Sequence, residues 1–137
     1  MKISEVMTTG VRTVKSTDTI KYAARLMESI DSGAILIEDQ DRLIGMVTDR
    51  DIALRGVAKD LASDTPVSEI MSGDIRYCFE DEEVDHVAQN MADIQLRRLP
   101  VLSREKRLVG VVSLGNIASA RSQNASATVL EGVAQPR

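Results

Sequence analysis

Val11-Arg12-Thr13-Val14 alternates apolar and polar side chains, the period of a half-buried strand. From Ile20 the period changes, and Ile20, Ala23, Ala24, Met27 and Ile30 recur at helical spacing. Gly33 breaks that stripe before the apolar run Ala34-Ile35-Leu36-Ile37, which reads as a second strand. Glu38-Asp39-Gln40-Asp41 makes a turn, Leu43 to Val47 a third strand, and Ile52, Ala53 and Val57 restore helical spacing over Asp49 to Val57. The predicted order is strand, helix, strand, strand, helix. Thr17 is placed to cap the first helix, beginning at Asp18, whose acidic first turn the helix dipole favours.

The whole pattern then returns. Ile3-Ser4-Glu5-Val6-Met7 matches Val67-Ser68-Glu69-Ile70-Met71 at an offset of 64 (71 − 7). The same offset carries Ile20, Ala23, Ala24, Met27 and Ile30 onto Val84, Val87, Ala88, Met91 and Ile94. Gly45 to Gly110 is an offset of 65 (110 − 45), so one residue enters in between, most simply in the polar turn Arg104-Glu105-Lys106. The second copy has strands at Ile75 to Phe79, Leu99 to Leu102 and Arg107 to Val112, with Asp81 and Glu82 at its helix start. Pro100 cannot donate a ladder hydrogen bond, so its strand is expected at a sheet edge or to begin there. Residues 1–60 and 61–121 are the predicted repeats, with Lys59 to Pro66 as a linker. The Ser-, Ala-, Gln- and Asn-rich residues 122–137 form a tail free to fray or to dock on a partner. Halves of this size are too small to bury full cores separately and are expected to fold against each other.

Charge and composition narrow the chemistry. With 17 Lys and Arg against 21 Asp and Glu, no Trp and three other aromatics, the chain has neither a broad basic field nor stacking platforms for nucleic acid. No apolar run approaches a membrane span and no signal peptide opens the chain, so a cytoplasmic protein is expected. Cys78 and His86 are the only residues of their kinds, which excludes a disulfide framework or a Cys/His zinc site within one chain. Cys78 reads as a buried inert thiol and His86 as a solvated side chain.

The candidate chemistry lies at two strand-to-helix junctions, Gly45-Met46-Val47-Thr48-Asp49-Arg50-Asp51 and Gly110-Val111-Val112-Ser113-Leu114-Gly115-Asn116. Glycine permits close approach of another group, and Thr48 or Ser113 offers a hydroxyl beside the first helical amides, a corner able to hold phosphate. Asp51 can accept from two vicinal hydroxyls, as a ribose presents; Asn116 can accept and donate. The same Thr-x-x-Asp spacing also makes a helix cap, and the residues alone leave both readings open. Arg50, Arg55, Arg97 and Arg98 are likewise solvated charges or phosphate clamps.

With these motifs the chain resembles a tandem pair of CBS domains, the family named after cystathionine β-synthase and also called a Bateman module. The resemblance covers residues 3 to 120: the Ser-Glu-Val-Met segment, the strands Gly33-Ala34-Ile35-Leu36-Ile37 and Arg98-Leu99-Pro100-Val101-Leu102, and both motifs. Val47-Thr48-Asp49-Arg50-Asp51-Ile52 is similar to the motif of small stand-alone bacterial members. The resemblance implies an α/β (α+β) fold of two β-α-β-β-α units packed about a pseudo-twofold axis, often dimerising into a disc. It also implies adenosyl ligands, AMP, ADP, ATP, NAD or S-adenosylmethionine, in clefts between repeats. Thr48 and Ser113 would contact phosphate or ribose, Asp51 and Asn116 the ribose hydroxyls, and Met46 and Val111 would flank adenine. Asp18 and Glu82 would lie opposite the motif of the other repeat, with carboxylates able to accept from an adenine amino group. Asn116 departs from the commoner acid and would bind more weakly.

The expected function is a regulatory nucleotide sensor without catalysis, a homodimer that changes shape on binding and signals to a separate effector protein. The alternative is a structural dimerisation module whose motifs are only caps. An enzyme is not expected: the chain has one histidine, no recognisable nucleophile and base pair and no Gly-rich phosphate loop with lysine.

Overall fold

The computed structural model describes residues 1–130, with side chains through residue 122. It contains two β-α-β-β-α repeats. The first has β1 (Thr13–Val14), α1 (Ile20–Ile30), β2 (Ala34–Asp39), β3 (Arg42–Thr48) and a terminal helix that opens as α2 (Asp49–Asp51). The second has β4 (Cys78–Phe79), α3 (Val84–Asp93), β5 (Arg98–Leu102), β6 (Leu108–Ser113) and α4 (Leu114–Leu130). Each repeat forms a three-stranded sheet in chain order, β1-β2-β3 and β4-β5-β6, with β1 parallel to β2 and β4 parallel to β5. β2 and β3 are antiparallel, joined by Gln40 and Asp41 with φ of 53° and 66°, the pair of positive values a tight hairpin turn demands.

The compact units and the repeats divide the chain differently. One unit holds Arg12–Arg76 with Lys106–Leu108; the other holds Met1–Val11, Tyr77–Glu105 and the chain from Val109. Each repeat's leading segment thus belongs to the unit built on the other repeat. In the first unit Val67 donates to the Asp18 carbonyl at 2.8 Å and Ile20 to that of Thr65 at 2.9 Å. In the second, Ile3 donates to the Glu82 carbonyl at 2.9 Å and Val84 to that of Met1 at 2.9 Å. Val67 and Ile3 anchor these segments through fully buried side chains. Around Val67, Ile20, Ala23 and Met27 of α1 meet Ile35, Ile37 and Val47; around Ile3, Val84, Val87 and Met91 of α3 meet Leu99, Val101 and Val112. Burying each large aliphatic side chain contributes on the order of 1.5–3 kcal/mol, which holds the amphipathic helices on their sheets.

Several local expectations are corrected. α1 starts at Ile20 and is capped by Thr19, whose Oγ1 accepts from the Tyr22 N–H at 3.0 Å, rather than by Thr17. Its end is set by Asp31 in the left-handed region (φ 52°), with Gly33 beyond the break. The helix predicted over Asp49 to Val57 is three kinds of turn: α2, a π-helical stretch Ile52–Gly56 and a 3-10 turn Val57–Lys59. The strand predicted from Ile75 pairs only at Cys78 and Phe79. Pro100 lies in the central strand, not at an edge; β4 pairs only with Val101 and Leu102, so the missing donor lies outside that register. The strand registers are spaced alike in the two repeats, Thr13 pairing with Leu36 and Cys78 with Val101, each 23 residues apart (36 − 13 and 101 − 78), so the register adds no residue between the first and second strands of the second repeat. Where the tail was predicted from residue 122, α4 continues to Leu130; the remaining residues lie outside the described ones.

Candidate functional site

Period-two alternation along β3 buries Gly45 and Val47 and leaves Met46 and Thr48 half-buried on the opposite face. β6 repeats this, with Gly110 and Val112 buried and Val111 and Ser113 half-buried together. Each hydroxyl residue then caps the following helix. Thr48 Oγ1 accepts from the Asp51 N–H at 3.1 Å while Asp51 Oδ2 accepts from the Thr48 N–H at 2.9 Å. Ser113 Oγ accepts from the Asn116 N–H at 3.0 Å while Asn116 Oδ1 accepts from the Ser113 N–H at 3.0 Å. Both motifs are reciprocal capping boxes. The structure therefore brings Met46, Thr48 and Asp51 together in one unit, and Val111, Ser113 and Asn116 in the other.

The corners offer fewer open amides than the sequence suggests. At the first, the Asp49 N–H donates to the Gly33 carbonyl at 2.9 Å and the Arg50 N–H to Asp49 Oδ1 at 2.8 Å, so the amides of Thr48 through Asp51 are all engaged. At the second, the Leu114 N–H donates to the Arg97 carbonyl at 2.9 Å. The outward groups also differ. Thr48 only accepts within its box, and Asp51 Oδ1 stands 3.8 Å from Arg55 Nε. Ser113 spends its O–H on Asn116 Oδ1 at 3.0 Å, so the amide Nδ2 of Asn116 is the polar group left to face outward.

The motif glycines are close-approach positions, but protein fills the space. A Cβ on Gly45 would stand 2.7 Å from Met71 Sδ and 2.9 Å from the Ser72 carbonyl oxygen; one on Gly110 would stand 2.7 Å from the Thr8 oxygen and 2.9 Å from Met7 Sδ. Met46 and Ser72 exchange two backbone hydrogen bonds at 2.9 Å, and Thr8 and Val111 exchange two at 2.8 and 3.0 Å. Sequence reasoning missed this role of Met7 and Met71. The signal was present: both end the repeated leading segments, at the offset that pairs them.

Asp18 and Glu82 close the turns before their helices, accepting from the Lys15 N–H at 2.8 Å and the Phe79 N–H at 2.7 Å. Within its own unit each lies across the sheet from the motif: Asp18 follows β1 at the Ile37 end of β2, whereas Thr48 pairs with Ala34 at the other end. Arg50, Arg97 and Arg98 are exposed; Arg55 reaches the Ile70 carbonyl at 3.4 Å. Burial, with the Glu82 charge adding to it, pushes the Cys78 thiol up to about 12, so it is the inert thiol expected. His86 is exposed, with Nε2 3.5 Å from Glu82 Oε1. Among the described residues no three His, Cys, Asp or Glu side chains gather as a metal site, and no helix is long and apolar enough to cross a membrane.

The sequence matches the CBS domain family over residues 3–56 and 67–123, which include both motifs. The chain belongs to the CBS domain family. Its two CBS domains are 42% identical over 125 residues to the CBS domain-containing protein YhcV of Bacillus subtilis (strain 168), spanning 91% of this chain and 89% of that protein. Hypoxic response protein 1 of Mycobacterium tuberculosis (strain ATCC 25618 / H37Rv) is 35% identical over 134 residues, 96% of this chain and 93% of that one. The crystal structure of Hypoxic Response Protein I with two coordinated zinc ions superposes with a TM-score of 0.75 at 36% identity, covering 87% of this chain and 98% of that one. The CBS domain pair of protein MJ0100, solved with 5′-methylthioadenosine and S-adenosyl-L-methionine, gives a TM-score of 0.72 at 26% identity, covering 90% and 98%.

Proposed function

We propose that this CBS pair is a non-catalytic regulatory module that binds an adenosyl ligand through its two capped motifs. The observation that carries the reading is the recurrence, in both domains, of a half-buried hydroxyl, a polar side chain one turn later and an apolar neighbour on the same strand face. The MJ0100 pair, with its bound adenosyl compounds, supports the same ligand class here. Thr48 has an O–H to donate and Asp51 keeps Oδ1 as an acceptor, a pairing suited to ribose hydroxyls. Asn116 offers N–H donors, suited to a phosphate or carbonyl oxygen. Met46 and Val111 provide apolar surface for adenine, Arg50 and Arg98 charge for phosphate, and Asp18 and Glu82 carboxylate oxygens for its amino group. AMP, ADP, ATP, NAD and S-adenosylmethionine are the candidate ligands. Binding acts by favouring one of two conformations of a cytoplasmic homodimer read by an effector protein.

Equilibrium binding of AMP, ATP, NAD and S-adenosylmethionine to the wild type and to Asp51→Ala tests this. The expected result is measurable affinity for at least one ligand, weakened about tenfold, roughly 1.4 kcal/mol, in the variant. Failure of all four to bind the wild type sinks the reading. A second reading, a dimerisation module without ligand, is favoured by one feature: Leu54 and Val57 lie 47% and 71% exposed on the helical turns after the first motif, and Leu61 just beyond them is 38% exposed. It predicts a dimer whose melting temperature no nucleotide changes.

A further inference from the structure

We propose that Met7 and Met71 are oxidation sites for peroxides, and that a sulfoxide at either position opens the backbone bridge beside its glycine. The inference concerns the two junctions and stands without the nucleotide reading. Met27 and Met91 are buried in the two cores, 7% and 0% exposed, whereas Met7 and Met71 are half-buried, with their thioethers set against Gly110 and Gly45. Met7 and Met71 therefore place their thioethers in the notches while remaining only partly buried as residues, unlike the two core methionines.

Oxidation changes that fit chemically. A sulfur lone pair attacks a peroxide oxygen, the O–O bond breaks, one S–O bond forms and, for hydrogen peroxide, water leaves; sulfur is oxidised by two electrons and the peroxide reduced by two. The sulfoxide is larger and carries a strong acceptor oxygen. Beside each glycine the nearest backbone atom is an acceptor, the carbonyl oxygen of Ser72 or Thr8, already engaged with Met46 or Val111, which a sulfoxide oxygen cannot pair with. Expulsion of the oxidised side chain removes the contact that seats residues 71–72 on β3 and residues 7–8 on β6. The Met46–Ser72 and Thr8–Val111 bridges are the first bonds to open, because each is a single isolated bridge rather than part of a longer ladder.

The test treats the full chain with hydrogen peroxide, maps added oxygen by peptide mass spectrometry and follows amide hydrogen exchange by NMR. The expected result is oxidation of Met7 and Met71 ahead of Met27 and Met91, with exchange at Thr8, Val111, Met46 and Ser72 accelerated about tenfold or more. Methionine sulfoxide reductases should reverse the effect. Met71→Leu, a volume-conserving change, should protect Met46 and Ser72 alone, and Met7→Leu Thr8 and Val111 alone. Sulfoxide at both positions with unchanged exchange overturns the proposal. So does equal acceleration in the double leucine variant, or oxidation that passes over both residues.

Discussion

The two motif junctions share one capping geometry and differ in everything that follows it. After Thr48 the chain makes one α turn, a five-residue π stretch and a 3-10 turn; after Ser113 it runs as an α-helix to Leu130. Asp51 and Asn116 each hold the strand-end N–H, yet the first leaves an acceptor outward and the second a donor. Duplication preserved the backbone solution, and divergence changed the polarity it presents. A capping box is compatible with ligand contact because it engages only one face of each side chain. The difference between the junctions is therefore a difference in what each can recognise.

The sharpest way to break this comparison is to fill its glycine notches. Gly110→Ala places Cβ 2.7 Å from a backbone oxygen, while Gly45→Ala meets first the thioether of a movable side chain. Both should destabilise by about 1–3 kcal/mol, with Gly110→Ala the larger, measured by urea unfolding. The reverse order would mean that the notches are not equivalent keys.

Next is ligand polarity. Asn116→Asp should tighten binding of an adenosyl ligand by restoring an outward acceptor, and Asp51→Asn should weaken it, each by several-fold and on the order of 1 kcal/mol in calorimetry. Equal and opposite insensitivity at the two positions would erase the asymmetry. Removing the caps comes third: Thr48→Ala and Ser113→Ala should each cost about 1 kcal/mol in thermal unfolding. Ser113→Ala should cost the more, because its O–H also donates to Asn116.

The smallest effect separates the far ends of the two sheets. There Ser16 donates from its N–H and Oγ to Asp39 in the first repeat, whereas in the second Arg104 donates to Asp81. The Ser16 hydrogen bonds hold the Asp39 carboxyl below the ordinary value of 3.8, and the Arg104 hydrogen bonds do the same for Asp81. Since both folded values are depressed, each contribution is present above pH 3.8 and is lost as pH falls through the folded value. NMR titration of the carboxyl carbons should show high salt weakening the Asp81 shift more than that of Asp39, because one partner is charged and the other neutral.

Much of the fold was legible because it rests on local periodicity. Ile20, Ala23 and Met27 turned out to be core residues of α1, and Ile35, Ile37 and Val47 core residues of their strands. Leu26, which the stripe omitted, is buried as well. The choice of Thr19 over Thr17 was not legible, because Ile20 is bonded to the Thr65 carbonyl, a partner 45 residues away (65 − 20).

At the candidate site, Thr48, Asp51, Ser113 and Asn116 were found from spacing, since a cap is formed by residues three apart on one turn. Spacing also found Gly45 and Gly110 as positions of close approach. The sequence by itself determined the repeated elements, the capped junctions and the absence of side chains at those glycines. Only the tertiary structure decided that Met71 and Met7 fill the space, that the first corner's amides are already engaged, and which oxygen or nitrogen faces outward. Those outcomes depend on contacts between residues distant in the chain, and no local period encodes which distant group arrives.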